Sequence, residues 1–507
     1  MYDAVVVGGG HNGLVAAAYL AKAGLRVAVF ERRPFVGGAA VTEEIAKGIR
    51  ASTGSYVLSL LRPKIIEDLR LRDFGLKVVT KDPAMYLPLG KGRGVTVWLD
   101  AKKTAKEFER FSKRDAESYL KFVEFLDTFS LIADSIMLSP PPSVEEVLST
   151  LKGLGLPREK VAEIERFLVM DGYTLLNEWF ESEEVRAALA EDAVVGTAQP
   201  ITAPGTAYVF LHHNVGEVNR VKGAWGYVLG GMGAVSEAIR KAAEGFGAEV
   251  YTNSEVEEIV VKGGEVKGVK LRNGKFVESR VVLSNADVKT TFLKLVKDGL
   301  EEDFLRRVKA LKTAGVSFKI NGYSDRLPDY GQGQWFVPQH VSSQLVIPSL
   351  DYLVKAYGDF LTFGYSKEPW LSLNIPTTVD PTLAPQGVHV VNVFGQYASY
   401  NSDPEKVLEA VKSVLREYFD FTAVEVLTPK GIEAKFGMSG GNIFHVDMTI
   451  DALLDMRPLP EVSNYRTPVK GLYLCSSSAH PGGGVTGAPG HNAAMAVLED
   501  LSRRRSG

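Results

Sequence analysis

The feature that most limits what this chain can become lies near its start. An apolar run, Ala4 to Val7, breaks into Gly8-Gly9-Gly10-His11-Asn12-Gly13 and gives way to an alanine-rich stretch, Leu14 to Ala23. The run predicts a buried parallel strand, and the stretch, free of internal Gly and Pro, predicts a helix. Gly8, Gly10 and Gly13 then fit G-x-G-x-x-G between a strand and a helix, where the pattern has a mechanical meaning. One glycine makes the turn, one lets a pyrophosphate approach bare backbone, and one brings helix and strand together. Ala16, Ala17, Ala18 and Ala21 supply the small face that such packing requires. The open N–H groups and positive dipole end of the helix suit phosphate oxygens.

Gly24 reads as the stop of that helix, and Arg26 to Phe30 as a second strand with Glu31 at its tip. A carboxylate about twenty residues beyond the glycines accepts hydrogen bonds from ribose hydroxyls and repels a 2′-phosphate. The expected nucleotide is therefore FAD or NAD. A second glycine pair follows in Pro34-Phe35-Val36-Gly37-Gly38-Ala39-Ala40.

This order, an acid at a strand tip followed by a Gly-Gly pair, resembles the flavoprotein superfamily of amine oxidases and carotenoid desaturases. Members usually carry Arg after the pair; Ala39 stands there instead, a departure shared with phytoene-desaturase-like proteins. Near the other end, Ser478-Ala479-His480-Pro481-Gly482-Gly483-Gly484-Val485-Thr486-Gly487-Ala488-Pro489-Gly490 is similar to the C-terminal flavin motif of that same subgroup. Amine oxidases place an aromatic near this turn, whereas His480-Pro481 and small residues occupy it here, which favours a hydrocarbon-like substrate.

The resemblance implies an α/β fold: a Rossmann-like FAD-binding domain, discontinuous in sequence, plus an α+β substrate domain whose mixed sheet covers the flavin. The FAD-binding part is expected at 1–75, 221–300 and 440–507, and the substrate part at 76–220 and 301–439. It implies FAD as cofactor, held by Gly8, Gly10, Asn12, Gly13, Glu31 and Arg32 and by Gly37, Gly38 and Ala39. Val256, through its backbone, and Gly484, Thr486, Gly487 and Asn492 complete the expected set.

Composition narrows the chemistry. The 507 residues are 45% hydrophobic and 23% charged, with a formal net charge of −3, which is enough for two cored domains. Near-neutral charge and the lack of a basic stripe argue against a nucleic-acid partner. The single cysteine, Cys475, excludes a disulfide framework and a C-x-x-C redox pair. It reads as a buried thiol. The glycine-broken start has no basic n-region, and no apolar run reaches about eighteen residues, so neither a signal peptide nor a membrane span is expected. The expected location is the cytoplasm.

Between the two ends the chain alternates in character. Phe122, Phe125, Leu126, Phe129, Ile132 and Ile136 recur at helical steps. The weightier reading is a core-facing helix, and the sharper one a lid in peripheral contact with lipid. The paired His212 and His213 diverge on a helix and have no carboxylate at ligand spacing, which argues against a metal. Three runs, Val256 to Val261, Val266 to Leu271 and Lys275 to Glu278, predict a meander turning at Gly263-Gly264 and Asn273-Gly274. Ala314 to Ile320, Trp335 to Pro338, Leu345 to Ile347 and Val388 to Phe394 predict strands of a second sheet. The last helix is expected from His491 to Leu498.

The leading functional expectation is hydride transfer between an apolar, isoprenoid-like substrate and flavin, with desaturation, saturation and isomerisation all compatible. With no dithiol and no nicotinamide domain, a quinone or oxygen is the expected electron acceptor. His480 and His445 are the candidate proton acceptors, since a neutral imidazole works near neutral pH. Two other readings stay open: a flavoprotein that binds without turning over, and an amine or amino-acid oxidase.

Overall fold

The computed structural model of the protein describes residues 1–90, 92–333 and 335–506. Its organising element is a five-stranded parallel sheet in the order Glu249–Tyr251, Val27–Phe30, Ala4–Val7, Val282–Ser284, Leu472–Leu474. Val5 pairs with Ala28 on one side and Val282 on the other, and Leu283 continues to Tyr473. Strands far apart in sequence thus meet in one sheet. Ala4–Val7 and Val27–Phe30 are buried throughout, as a parallel sheet covered on both faces demands.

One face carries three helices, His11–Lys22, Gly233–Gly245 and Ala488–Ser506, with the first packed against the other two. Ala16, Ala17 and Ala18 are fully buried there, so the alanine face brings the helices together. The other face is covered by an antiparallel meander, Val256–Lys262, Glu265–Leu271 and Phe276–Glu278. Its first turn has Gly263 and Gly264 at φ 60° and 73°, the conformation a tight hairpin needs. At the second only Gly274 is left-handed, φ 87°, and Asn273 instead accepts from the Lys275 N–H at 3.0 Å.

A seven-stranded mixed sheet forms a second layer: Thr422–Leu427, Ser317–Ser324, His389–Ala398, Tyr365–Asn374, Ser343–Val346, Met85–Gly90, Arg93–Val97. All neighbours are antiparallel except Ser343–Val346 with Met85–Gly90. The strand expected at Trp335 to Pro338 is absent: Trp335 is 80% exposed and a 3₁₀ turn runs from Pro338 to Val341. An apolar run read as a strand has no partner there.

Helices fill the remaining side. Lys113–Ser130 starts at Ser112, whose hydroxyl accepts from the Asp115 N–H at 3.1 Å. Phe122, Phe125 and Phe129 face the core, with Phe125 edge-on to Phe129 at 5.5 Å between ring centres. The expected periodicity through Ile136 is split: the helix ends at Ser130 and a short one, Ala133–Met137, follows. No helix among the described residues is long and apolar enough to cross a membrane. The last helix begins at Ala488, three residues before the expected His491, because Thr486 Oγ1 accepts the Ala488 N–H and Pro489 needs no acceptor in a first turn.

Candidate functional site

A cavity of about 520 Å³ opens beyond the carboxyl end of Ala4–Val7 and continues between the mixed sheet and the helices. Its first part is the glycine cradle. Gly8 is at φ 95°, and Gly10 caps the helix without any side-chain hydrogen bond, leaving the first-turn N–H groups open. A Cβ on Gly10 would stand 2.7 Å from Asn285 Nδ2. Gly37 approaches the same turn, its N–H donating to Gly9 O at 2.8 Å. Glu31 is fixed by backbone: Gly9 N–H donates to Oε2 and Arg33 N–H to Oε1, both at 2.8 Å. Each carboxylate oxygen keeps a lone pair for a ribose hydroxyl.

Gly8, Gly10, Asn12, Glu31, Arg32, Gly37, Gly38, Ala39, Val256 and Gly484 all line this cavity. Gly13 lies behind it: a Cβ there would meet Gly8 O at 2.3 Å, so its role is close packing of helix on strand. Three expected contacts are set apart from the lining. Thr486 caps the last helix, and Gly487, at φ 71°, packs against Leu61 and Ile65. Asn492 Nδ2 donates to Met137 O at 2.8 Å, Ser139 O at 3.1 Å and Tyr465 Oη at 2.8 Å, a tie between segments.

The two candidate proton acceptors separate. His480 is buried outside the lining, with Nε2 against Ile136 O at 2.8 Å. His445 lines the cavity at φ 65°. Burial pushes both imidazoles down to about 4, so both are neutral near neutral pH. Arg457 Nη2 donates to Phe444 O at 2.8 Å and Val446 O at 2.9 Å, gripping the peptides on either side of His445. His11, whose nearest titrating neighbour is His445, also faces the cavity.

Three buried atoms at this end have no hydrogen-bond partner among the described residues: Asn12 Oδ1, His11 Nε2 and His445 Nδ1. Unmet polar atoms beside bare backbone, an open helix end and a ribose-type carboxylate fit a bound dinucleotide.

Beyond the cradle the walls change. Met85, Val97, Val123, Leu126, Leu189 and Phe210 form an apolar sleeve. Between the two lies a buried polar group that the pattern of the chain does not single out: Tyr56, Lys81, Glu191, Asp192 and Lys319. Lys81 Nζ donates to Ser343 Oγ at 2.6 Å and Asn374 Oδ1 at 3.2 Å, and burial pulls it down to about 8. Burial, with Glu191 beside it, pushes Asp192 up to about 7, and Glu191 itself is raised by burial. Lys319 sits 4.8 Å from the Tyr56 ring centre, donates to Asn392 and is driven well below the usual lysine range by burial. The signal available was the polar interruption of apolar runs, as in Leu189-Ala190-Glu191-Asp192-Ala193-Val194.

His213 lines the cavity with Nδ1 on Val209 O at 2.8 Å, while His212 Nε2 meets Gly483 O at 2.9 Å. Cys475 is fully buried and its thiol is pushed up by burial, which removes it as a nucleophile.

The sequence profile of the flavin containing amine oxidoreductases matches residues 13–498. Among curated proteins, the chain is 40% identical to pyridine nucleotide-disulfide oxidoreductase domain-containing protein 2 of Rattus norvegicus, over 99% of this chain and 94% of that one. It is 28% identical to a limonene dehydrogenase component of Castellaniella defragrans, over 98% and 95%. Among solved structures, a redesigned putrescine oxidase shares the fold with a TM-score of 0.63 at 14% identity, over 99% of both chains.

Proposed function

The chain belongs to the flavin containing amine oxidoreductase family and is an FAD-dependent oxidoreductase, and from that premise we propose that its substrate is an apolar, isoprenoid-like molecule. The observation that carries this reading is the continuity of one cavity from the glycine cradle, past Tyr56, into the sleeve of Val97, Val123, Leu126 and Phe210. Such a sleeve binds by removing apolar area from water, at roughly 25 cal/mol per Å², and selects for length and shape rather than charge. The name of the Castellaniella relative, a limonene dehydrogenase, agrees with a terpene-like substrate.

Bound FAD supplies a two-electron hydride acceptor. The chain supplies the rest. Gly8, Gly10 and the open helix end receive the pyrophosphate, Glu31 the ribose, and the sleeve holds a C–H bond in place while excluding water. With Cys475 inert, electrons leave to an external acceptor, a quinone or oxygen. The lid reading loses its support, since Phe125 and Phe129 are core residues, but exposed Leu131 and Leu154 on the helical side offer a face for contact with lipid.

The test is an absorption spectrum of the FAD-loaded protein, followed anaerobically as fractions of a lipid extract are added. Bleaching by an apolar fraction is expected. Bleaching by none, with peroxide released instead on a panel of amines, would overturn the substrate class.

A further inference from the structure

Glu191 and Asp192 are consecutive, 6% and 7% exposed, and both line the cavity. Two carboxyls so placed are costly unless paired, yet neither forms an ion pair within 4 Å among the described residues. Lys81, the nearest buried cation, directs its hydrogen bonds to Ser343 and Asn374 instead. Asp192 accepts from Asn214 Nδ2 at 2.9 Å, and Glu191 has the Ser372 hydroxyl. These neighbours hold the pair in place and leave carboxyl oxygens towards the cavity.

We propose that the Glu191–Asp192 pair takes up a proton when the flavin is reduced, and is thereby the acceptor for the proton that substrate oxidation releases. The balance is complete. Oxidation of an H–C–C–H unit gives up one hydride, carrying two electrons and one hydrogen, to the flavin. The second C–H bond breaks towards the new double bond and its proton goes to the pair. This rests on the reading of the protein as an enzyme acting on C–H bonds.

The setting supports such a store. Two adjacent carboxyls share protons because both cannot ionise cheaply in a buried site, and the second proton leaves near neutral pH. Other charged and titratable groups face the pair from each packed element. Lys81 comes from the segment before Met85–Gly90, Tyr56 from the loop after the glycine cradle, and Tyr227 from beside Asn374. His213 comes from the helix Thr206–Asn214, and its Nδ1 reaches Asp192 O at 3.2 Å. On the preceding helix, Glu183 and Arg186 pair with each other at the solvent side. Tyr56 links the pair to the cradle: the neighbouring Ser55 N–H donates to Ala39 O at 2.9 Å, and Lys319 lies over the Tyr56 ring. Unit charges about 10 Å apart at an effective dielectric of about 20 interact by on the order of one pH unit. Added electron density on the flavin therefore raises the proton affinity of the pair.

The experiment needs no substrate, so its outcome is independent of the lipid-fraction test. The FAD-loaded protein is photoreduced anaerobically in weakly buffered solution with a pH-indicating dye, and protons taken up per two electrons are counted from pH 5 to 9. Wild type is expected to take up more than Asp192→Asn and Glu191→Gln near pH 7, with the excess vanishing at both ends of the range. Asp447→Asn removes another buried carboxyl, held at about 6 by burial and absent from the lining, and is expected to match wild type. Equal uptake in all four proteins, or loss of the excess in Asp447→Asn as well, would overturn the proposal. Two carboxamide variants guard against one of them failing to fold.

Discussion

A Cβ placed on Gly13 would stand 2.3 Å from the carbonyl oxygen of Gly8. The last glycine of the motif is therefore needed for contact between helix and strand, while Gly8 and Gly10 present bare backbone to the cavity. Gly13→Ala is expected to fold with a loss of about 1–3 kcal/mol, since a backbone atom cannot step aside as a side chain would. Because the displaced element is the cradle itself, flavin retained after gel filtration should fall at least tenfold. Full flavin content with unchanged melting temperature would contradict this.

Arg457 is fully buried and donates to five carbonyls: Phe444 O, Val446 O, Ala452 O, Asp447 O and Ser477 O. It ties the segment that carries His445 to Ser477, whose hydroxyl accepts from Asn12 Nδ2 at 3.3 Å. Arg457→Met leaves those carbonyls buried without a donor and should cost about 3 kcal/mol or more. Arg457→Lys should recover only part of this, because an ammonium cannot span carbonyls as a planar fork does. Urea melts of the three proteins give the order wild type, Lys, Met; a Lys variant as stable as wild type would contradict it.

Burial lowers all eight histidines, with His11, His213, His445 and His480 at about 4 and His212 at about 3. Each folded value lies below the unfolded value of about 6.5, so the unfolded chain binds protons first on acidification. This stability is complete above pH 6.5 and is lost as pH falls towards the folded values. Asp192 at about 7, Asp447 at about 6 and the raised Glu191 act oppositely, losing stability as pH rises through those values. The histidines outnumber them, so the melting temperature should drop between pH 6.5 and 4.5. A flat profile over that interval would contradict the burial of these rings.

Much of this was legible in the chain because the cofactor end is built from local pattern. Gly8, Gly10 and Gly13 act through backbone geometry, and Glu31 follows at a fixed spacing, so residue type and order carry the information. The later motif was harder. His480, Thr486, Gly487 and Asn492 sit in a flavin-like run, yet in the fold they tie loops and cap a helix, because only part of a glycine-rich turn can face a ligand. The group of Lys81, Glu191, Asp192 and Lys319 was not legible at all. Its members are brought together by the mixed sheet and the helical layer, and no local period marks a contact between such distant segments. Trp335 failed for the converse reason: an apolar run makes a strand only when an edge is free to pair with it.

The central claim is that flavin and substrate share one cavity, with the sleeve leading to the cradle. Leu126 lines that sleeve from the helix Lys113–Ser130, remote in sequence from every glycine of the cradle. The most direct test is the rate of anaerobic flavin bleaching by the active lipid fraction in wild type and in Leu126→Trp, with flavin content measured in both. The account predicts unchanged flavin content and bleaching slowed at least a hundredfold, because the indole fills the path to the flavin. Equal bleaching rates at equal flavin content would contradict it.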